Sequence, residues 1–293
     1  MTDWAQVAFN SAVTGSLYAL VAIGLTLTYG SSKFPNFAHA EFMLFGGYVG
    51  YTIVEQLGLG FPLGFIIAFI AAGFLSVAAY RLVFRPLMRR GATLIHLMVA
   101  SIGLGFIIRQ SIQQVWGGSQ LSFRIAWASY DIGPIRVTNL WLSIILVALL
   151  TALSLHLILT RTKLGKAVRA TSNNPELAMA SGINTERISL FVWFVGAAMA
   201  GLGGLFKAAD SVLVPMLGFE MLLPAFATAI LGGIGSFYGA ITAAYILGMA
   251  ENFGVVALVG LGLSTGYRSA VAFIVIILVL IIRPSGLGKL FKG

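Results

Sequence analysis

Nine apolar stretches, each close to the length that crosses a membrane, follow one another through almost the whole of this chain. A membrane helix needs about 20 apolar residues, and lipid-embedded helices tolerate the Gly and Pro that several stretches contain. The pattern predicts an all-α, polytopic integral membrane protein with about eight to ten transmembrane helices, the range allowing for short re-entrant segments. The predicted spans are residues 5–29, 37–56, 62–84, 93–115, 139–160, 188–208, 216–233, 236–256 and 268–282.

The composition argues against a soluble α/β enzyme. Of the 293 residues, 59% are hydrophobic and 9% are charged, whereas an average soluble domain carries about 25% charged residues. The chain has no cysteine, so disulfides and thiolate metal sites are excluded, and its three histidines are too far apart for a zinc motif. The first apolar stretch lacks a preceding basic region, so we interpret it as a retained span rather than a removable signal peptide.

The net charge of +9 does not indicate a nucleic-acid partner, because the basic residues cluster between spans instead of on one soluble face. This distribution sets membrane orientation, with the basic side in the cytoplasm. It predicts an N-terminus outside and a C-terminus in the cytoplasm. The basic side holds Lys33, Arg85, Arg89, Arg90, Arg161, Lys163, Lys166, Arg169, Arg187, Arg283, Lys289 and Lys292, and the opposite loops hold Arg124, Arg136, Lys207 and Arg268.

The longest polar segment, at about 161–187, contains the signals of a short helix. Asn174 is suited to the N-cap, Pro175 to the first helical position, Glu176 to the positive end of the helix dipole and Gly182 to a left-handed stop. A helix of about seven residues is not stable alone in water. It is either an ordinary loop that packs on its own spans or a docking helix received in a groove of a soluble partner. The length and basic charge of the segment favour docking, with Ala178, Ala180 and Gly182 allowing close approach.

Four groups of motifs occur in order along the chain. They are Gly24–Gly30 with Asn36-Phe-Ala-His-Ala-Glu41; Gly165–Ala170 leading into Pro175–Ala178 and Gly182-Ile-Asn184; Leu231–Ser236 with Gly239 and Gly248–Asn252; and Arg283–Leu287. In this combination the chain resembles the permeases of bacterial ABC-type importers, and most of all those of high-affinity branched-chain amino-acid uptake systems, a family that also includes urea permeases. One departure is Ala40, where the family usually has glycine, and it predicts looser packing near the second span.

The resemblance implies a division of labour among several subunits in the bacterial inner membrane. Residues 1–293 would form one permease domain, paired with a second permease subunit, homologous or identical, two ATP-binding cassette subunits and a periplasmic solute-binding protein. ATP and Mg would bind the partner ATPase, and this chain would bind no cofactor and would not be an enzyme; no phosphate-binding GxxxxGK[ST] motif occurs in it. The residues expected to couple it to the ATPase are Gly165, Arg169, Ala170, Asn174, Pro175, Glu176, Leu177, Ala178 and Gly182.

Polar and ionisable groups inside spans are costly and are candidates for a translocation pathway. His39 and Glu41 are also explained by capping and interfacial solvation, and their spacing makes them point apart on a helix. Arg109 is expected to pair with a carboxylate, with Glu220 and Glu251 as candidates for it or for Arg268, or to bind a substrate carboxylate. The predicted pathway residues are Asn36, His39, Glu41, Gly232, Gly233, Glu251 and Asn252.

The sequence favours an ATP-driven importer subunit that forms half of a pathway for branched-chain amino acids. Urea or short amides are the nearest alternative substrates. A gradient-driven secondary transporter or channel would also use intramembrane ionisable groups and broken helices, but it does not need the capped insert, and no catalytic constellation supports a membrane enzyme. The short match between Phe37-Ala-His-Ala40 and Phe226-Ala-Thr-Ala229, each followed by Gly-Gly, indicates a weak inverted repeat.

Overall fold

The computed structural model describes residues 3–282 and 286–287, and most of this part is helical. The motif at Arg283–Leu287 and the basic residues Lys289 and Lys292 therefore lie wholly or largely outside the described residues. The elements are α1 (Trp4–Ser32), α2 (His39–Tyr51), a π-helical turn (Thr52–Gln56), α3 (Phe61–Ala79), a second π-helical turn (Tyr80–Phe84), α4 (Arg85–Arg89), α5 (Leu94–Trp116), β1 (Ser129–Ile132), β2 (Ile135–Thr138), α6 (Asn139–Arg161), α7 (Lys163–Asn173), α8 (Pro175–Ala180), α9 (Thr185–Asp210), α10 (Leu217–Leu231), α11 (Phe237–Gly260), a 3₁₀ turn (Thr265–Tyr267) and α12 (Arg268–Ile282).

The predicted all-α membrane architecture is confirmed. Every predicted span coincides with a helix, and within the described residues six helical segments are long and apolar enough to cross a membrane. These six are α1, the continuous stretch from α3 to α4, α5, α6, α9 and α11, and α10 is a shorter apolar helix. The β1–β2 hairpin, which lies in the loop between α5 and α6, is not among the predicted elements.

Helix α9 is at the centre of the bundle, where it packs against α1, α2 and α3. In its most apolar window 78% of residues are buried, against 17% for α6 at the periphery. The central helices meet at glycines: Gly24 of α1 faces Gly196 of α9, and Gly46 of α2 faces Gly201. Because lipid supplies no hydrophobic drive between helices, close backbone approach through small residues is a main source of packing energy.

The basic end of the bundle is assembled from distant parts of the chain. Lys33, at the end of α1, donates from Nζ to the carbonyl of Ser172 at 2.5 Å. Arg85 forms an ion pair with Glu186 at the start of α9. These contacts confirm that the basic residues after α1 and α3 lie at the same end as the segment at 161–187.

The opposite end is held together by contacts of the loop between α5 and α6. Gln6 accepts a hydrogen bond from the backbone of Arg136 at 2.7 Å, and Glu55 accepts one from the backbone of Arg124 at 2.8 Å. The start of α1 and the end of the α2 segment are therefore at this second end, as two successive passes through the bundle require.

The two segments of the predicted internal repeat meet in space. The rings of Phe37 and Phe226 stack with their centroids 4.8 Å apart. They occupy different positions in their elements, however, since Phe37 precedes α2 whereas Phe226 lies inside α10, after Pro224. The contact belongs to the packing of α2 against α10.

Substitution of Gly24 by alanine tests the close crossing of α1 and α9. The added methyl group would overlap the backbone carbonyl of Gly196, which cannot rotate away, so we expect a loss of about 1–3 kcal/mol of stability or more. The matched control is Gly103→Ala in α5, where the new methyl meets no atom within 4 Å. Thermal unfolding of the detergent-solubilised protein should fall for Gly24→Ala and be unchanged or raised for Gly103→Ala; equal unfolding temperatures would contradict this packing.

Candidate functional site

A buried ion pair joins α2 to α5 within the membrane-spanning part of the bundle. Arg109 lies about two turns from the end of α5, and its Nε donates to Oε1 of Glu41 at 3.1 Å, with Nη2 donating to the same oxygen. Both residues are almost fully buried, Arg109 at 8% exposure and Glu41 at 2%. The prediction that Arg109 pairs with Glu220 or Glu251 is wrong. The other predicted partner for either glutamate is Arg268, whose side chain lies outside the described part.

Aromatic rings surround the guanidinium of Arg109. Its central carbon lies 5.3 Å from the ring centroid of Phe219 and 5.6 Å from that of Phe106. Both distances are within the range of a cation–π interaction. Nη1 has only a weak contact, 3.8 Å from the sulfur of Met216, so this nitrogen can still donate a hydrogen bond to another group.

The ion pair lies in the wall of a cleft of about 290 Å³ between α2, α5 and α10. This volume is at the small end of the range for small-molecule pockets, about 300–1,000 Å³. The lining residues are Phe37, Glu41, Ile102, Gly105, Phe106, Arg109, Phe219, Leu222 and Leu223. A larger groove of about 400 Å³ between α3 and α5 is lined by apolar side chains and one serine and has no ionisable group. Chemistry rather than size therefore selects the smaller cleft as the candidate site.

Asn36 and His39, the other predicted pathway residues near α2, point away from the cleft. Nε2 of His39 lies 3.1 Å from the carbonyl oxygen of Val21 on α1, and Oδ1 of Asn36 accepts from the backbone N–H of Ala38 at 3.1 Å. As their spacing predicted, His39 and Glu41 face different neighbours. Asn36 shapes the turn that leads into α2.

Glu251 and Asn252 lie on a different seam, between α11 and α1. Tyr18 donates to Oε2 of Glu251 at 2.6 Å, and Nδ2 of Asn252 donates to Oγ1 of Thr14 at 3.1 Å. Neither residue lines the cleft. Their hydrogen bonds join two helices that also approach closely at Gly248.

Gly232 and Gly233 form the turn between α10 and α11. A Cβ at Gly232 would lie 2.5 Å from the carbonyl carbon of Gly239, and Gly233 has a φ of 84°. Both features require glycine. Of the predicted pathway residues, only Glu41 lines the cleft. The spacing of Arg109 and Glu41 in sequence gave no signal of their pairing.

The predicted looser packing at Ala40 is not observed. Ala40 is buried at 1% exposure, and the close approach is made from the other helix, because a Cβ at Gly218 of α10 would lie 2.9 Å from the Ala40 carbonyl oxygen. The same Cβ would lie 3.0 Å from Oε2 of Glu41. Gly218 therefore allows α10 to cover the ion pair.

The segment predicted to couple to a partner begins with α7, which is fastened to the end of α6. Oγ1 of Thr162 accepts from the backbone N–H of Gly165 at 3.0 Å, and Arg169 donates to the carbonyl of Leu159. Gly165 is buried against the α6 backbone with no room for a side chain, whereas Ala170 is half-buried. Gly165 and Arg169 thus fix the direction of α7.

Helix α8 has the predicted caps. Oδ1 of Asn174 accepts from the N–H of Leu177 at 3.0 Å, Pro175 is the first helical residue, Glu176 is in the first turn, and Gly182 has a φ of 81°. The helix begins and ends as its sequence indicates.

The composition of the exposed face of α8 differs from the prediction. Ala178 is only 3% exposed and faces the protein, so its side chain cannot meet a partner. Leu177 and Met179, at 64% and 53%, carry most of the exposed apolar surface. On a six-residue helix, adjacent positions face different directions, and sequence alone did not show which one would pack inward.

An open concavity of about 720 Å³ lies beside α8 at the same end of the bundle. Arg85, Arg89 and Glu186 form part of its wall, together with Met179 and Gly182. The Arg85–Glu186 ion pair joins the end of α3 and its extension to the start of α9. The surface of α8 and this concavity are therefore continuous.

Comparison with known proteins identifies the family. The family model described as "Branched-chain amino acid transport system / permease component" matches residues 7–280. The permease protein LivH of the high-affinity branched-chain amino acid transport system of Salmonella typhimurium is 34% identical over 297 residues, covering 96% of this chain and 94% of LivH. This chain belongs to that family of permease components.

Two further similarities have narrower meanings. LivM, the other permease protein named for the same transport system of Salmonella typhimurium, is 27% identical over 266 residues, covering 79% of this chain and 60% of LivM. The solved structure of PsaBC from Streptococcus pneumoniae in complex with Fab has a TM-score of 0.54 and 14% identity, covering 97% of this chain and 94% of that chain. At this identity it supports the fold alone.

The left-handed backbone of Gly182 gives a test of α8. No atom lies within 4 Å of a Cβ built there, so only the backbone conformation opposes a side chain, at a cost of about 1–2 kcal/mol for most residues. If α8 docks on a partner ATPase, as the sequence predicts, Gly182→Val should insert normally but lose co-purification with that partner and substrate uptake. Gly182→Asn is the matched control, because asparagine tolerates this conformation. Equal behaviour of the two variants would contradict a role for the α8 stop.

Proposed function

We propose that this chain is the permease subunit of an ATP-driven importer and forms half of a pathway for branched-chain amino acids across the bacterial inner membrane. The observation that carries the proposal is the exposed apolar face of α8, on a helix that is capped at both ends and held against the basic end of the bundle. A soluble partner that covers Leu177 and Met179 would supply the burial that this surface lacks. The motif order and the names of LivH and LivM support the same assignment.

The structure offers a route from α8 to the cleft. Gly182 ends α8, and α9 begins at Thr185, capped by Asn184, whose Oδ1 accepts from the N–H of Arg187 at 3.0 Å. Since α9 packs on α1, α2 and α3, displacement of α8 by an ATPase would be passed to these three helices, including α2, which carries Glu41. ATP and Mg would bind that partner, and this chain would act in transport without a cofactor or an enzymatic activity of its own.

The cleft supports a pathway at the interface with a second permease subunit. An ion pair facing hydrocarbon is costly, and intramembrane charges face protein or water-filled cavities. The face of α5 beside the cleft is apolar and exposed, and the described residues of this chain leave Val99 and Phe106 uncovered. A second permease subunit would enclose the cleft between the two subunits. It would be either identical to this chain or related to it as LivM is to LivH.

A periplasmic binding protein would deliver the substrate to the end of the bundle formed by Gln6, Glu55 and the β1–β2 hairpin. The basic end would face the cytoplasm, in agreement with the distribution of lysine and arginine. This arrangement puts the N-terminus outside and the C-terminus inside. Urea or short amides remain the alternative substrates in this family.

Uptake of labelled leucine tests this assignment. Cells that lack their own system would be complemented with this chain and its neighbouring subunits, with the Walker lysine of the ATPase either intact or substituted. We expect leucine accumulation that stops when the ATPase is inactive and is unaffected by excess urea. Accumulation with the inactive ATPase would instead indicate a gradient-driven carrier, and entry of labelled urea without leucine would overturn the substrate.

The apolar face of α8 is tested by the double substitution Leu177→Ser and Met179→Ser. Loss of most of the exposed apolar area should weaken binding of the ATPase subunit by roughly tenfold or more, at about 25 cal/mol per Å² buried. The control is Ile132→Ser in the hairpin at the other end, where an equally exposed apolar side chain is removed. Co-purification measures binding, and unchanged recovery of the ATPase with the double variant would contradict docking at α8.

A further inference from the structure

We propose that the Glu41–Arg109 pair is a binding site for the zwitterionic backbone of an amino acid in transit, with the aliphatic side chain held by the apolar wall of the cleft. The inference rests on the proposed function, since it names where that substrate class binds. Arg109 would receive the α-carboxylate, and Glu41 would receive the α-ammonium group. Phe219, Leu222 and Leu223 would contact the hydrocarbon part.

The first argument is that both members of the pair have unused hydrogen-bonding capacity. Oε1 of Glu41 accepts from both Nε and Nη2 of Arg109, while Oε2 is buried and has no hydrogen-bond partner among the described residues. Nη1 of Arg109 meets only the sulfur of Met216, at 3.8 Å. A buried polar atom without a partner costs free energy unless a ligand or another group satisfies it.

The second argument is that these free positions have the polarity of an amino acid backbone. The carboxylate oxygen accepts from an ammonium group, and the guanidinium nitrogen donates to a carboxylate, in charge-assisted hydrogen bonds. A zwitterion therefore adds a positive group beside the negative residue and a negative group beside the positive one. The four charges sum to zero, so binding leaves no net charge in the membrane.

The third argument is the contrast within the cleft. Apart from Glu41 and Arg109, all of its lining residues are apolar. A branched aliphatic side chain fits such a wall, whereas a neutral amide has neither an ammonium group for Oε2 of Glu41 nor a carboxylate for Nη1 of Arg109. The cleft thus favours amino acids over urea.

Helix α10 controls access to the unused oxygen. Oε2 of Glu41 lies against Gly218, the position where a Cβ would be 3.0 Å away. The terminal torsion of a glutamate side chain is broad and roughly two-fold, so rotation of the carboxylate exchanges the two oxygens between α10 and the cleft. A shift of α10, which contains Pro224, would expose the same oxygen.

The test is binding of labelled leucine to the complete transporter in nanodiscs without the binding protein, together with ATP-driven uptake in proteoliposomes with it. The double variant Glu41→Gln with Arg109→Gln keeps hydrogen bonding and net charge while removing both ionic partners. We expect leucine binding and uptake to fall by roughly ten- to hundred-fold, the loss that follows removal of charge-assisted hydrogen bonds. The matched control is Glu220→Gln, an exposed carboxylate on α10 outside the cleft lining, for which binding should be unchanged.

The analogues 3-methylbutylamine and 4-methylpentanoate resolve the two halves of the site. The amine should compete with leucine in wild type and lose that ability in Glu41→Gln, while the acid should lose it in Arg109→Gln. Assembly of each variant is measured by recovery of the complete complex on purification.

The possible failures are distinguishable. If the wild-type transporter takes up leucine with ATP and the double variant does so equally well, the pair is only a structural contact and the inference is wrong while the proposed function stands. If the wild type transports urea and not leucine, the proposed substrate itself is wrong, and the inference is overturned with it.

Discussion

The close contact between α9 and its neighbours at facing glycines is the constraint on which the rest of the bundle depends. Gly24 against Gly196 and Gly46 against Gly201 bring the backbones of α1, α2 and α9 together, and large side chains such as Trp193 and Phe206 of α9 fill the buried space around these crossings. Helices α5 and α6 are left at the periphery, with much of their surface uncovered by the described residues. Helix α5 packs on the bundle mainly along α2, where the Glu41–Arg109 pair joins the two helices in the wall of the cleft.

The membrane spans and the helix caps could be predicted from the sequence because both are local properties. Hydrophobic length predicts a membrane helix directly, and Asn174, Pro175 and Gly182 each act within their own turn. Which residues share a site is not local. Glu41 and Arg109 lie on two helices, and the sequence does not indicate that these helices pack against each other. The side chain of Ala178 faces inward because the six-residue helix α8 docks on α7 and α9. The β1–β2 hairpin had no periodic signal strong enough to predict.

The two proposed working parts are both connected to the central helix α9. Helix α8 presents Leu177 and Met179 to a soluble partner, and α9 follows it directly into the core. Helix α9 also packs against α2, which carries Glu41. A rigid, glycine-packed helix suits this task, since tightly packed interiors transmit displacement rather than absorb it.

The central claim is that the cleft beside α5 faces an aqueous pathway and not lipid. The chain contains no cysteine, so a single Ile102→Cys substitution gives one reactive thiol in the cleft wall, and Leu146→Cys gives one on the exposed surface of α6. Reaction with a charged, membrane-impermeant maleimide would be measured in the complete transporter. The account predicts labelling at position 102 that leucine slows, and little labelling at position 146. Equal and slow labelling at both positions would contradict it.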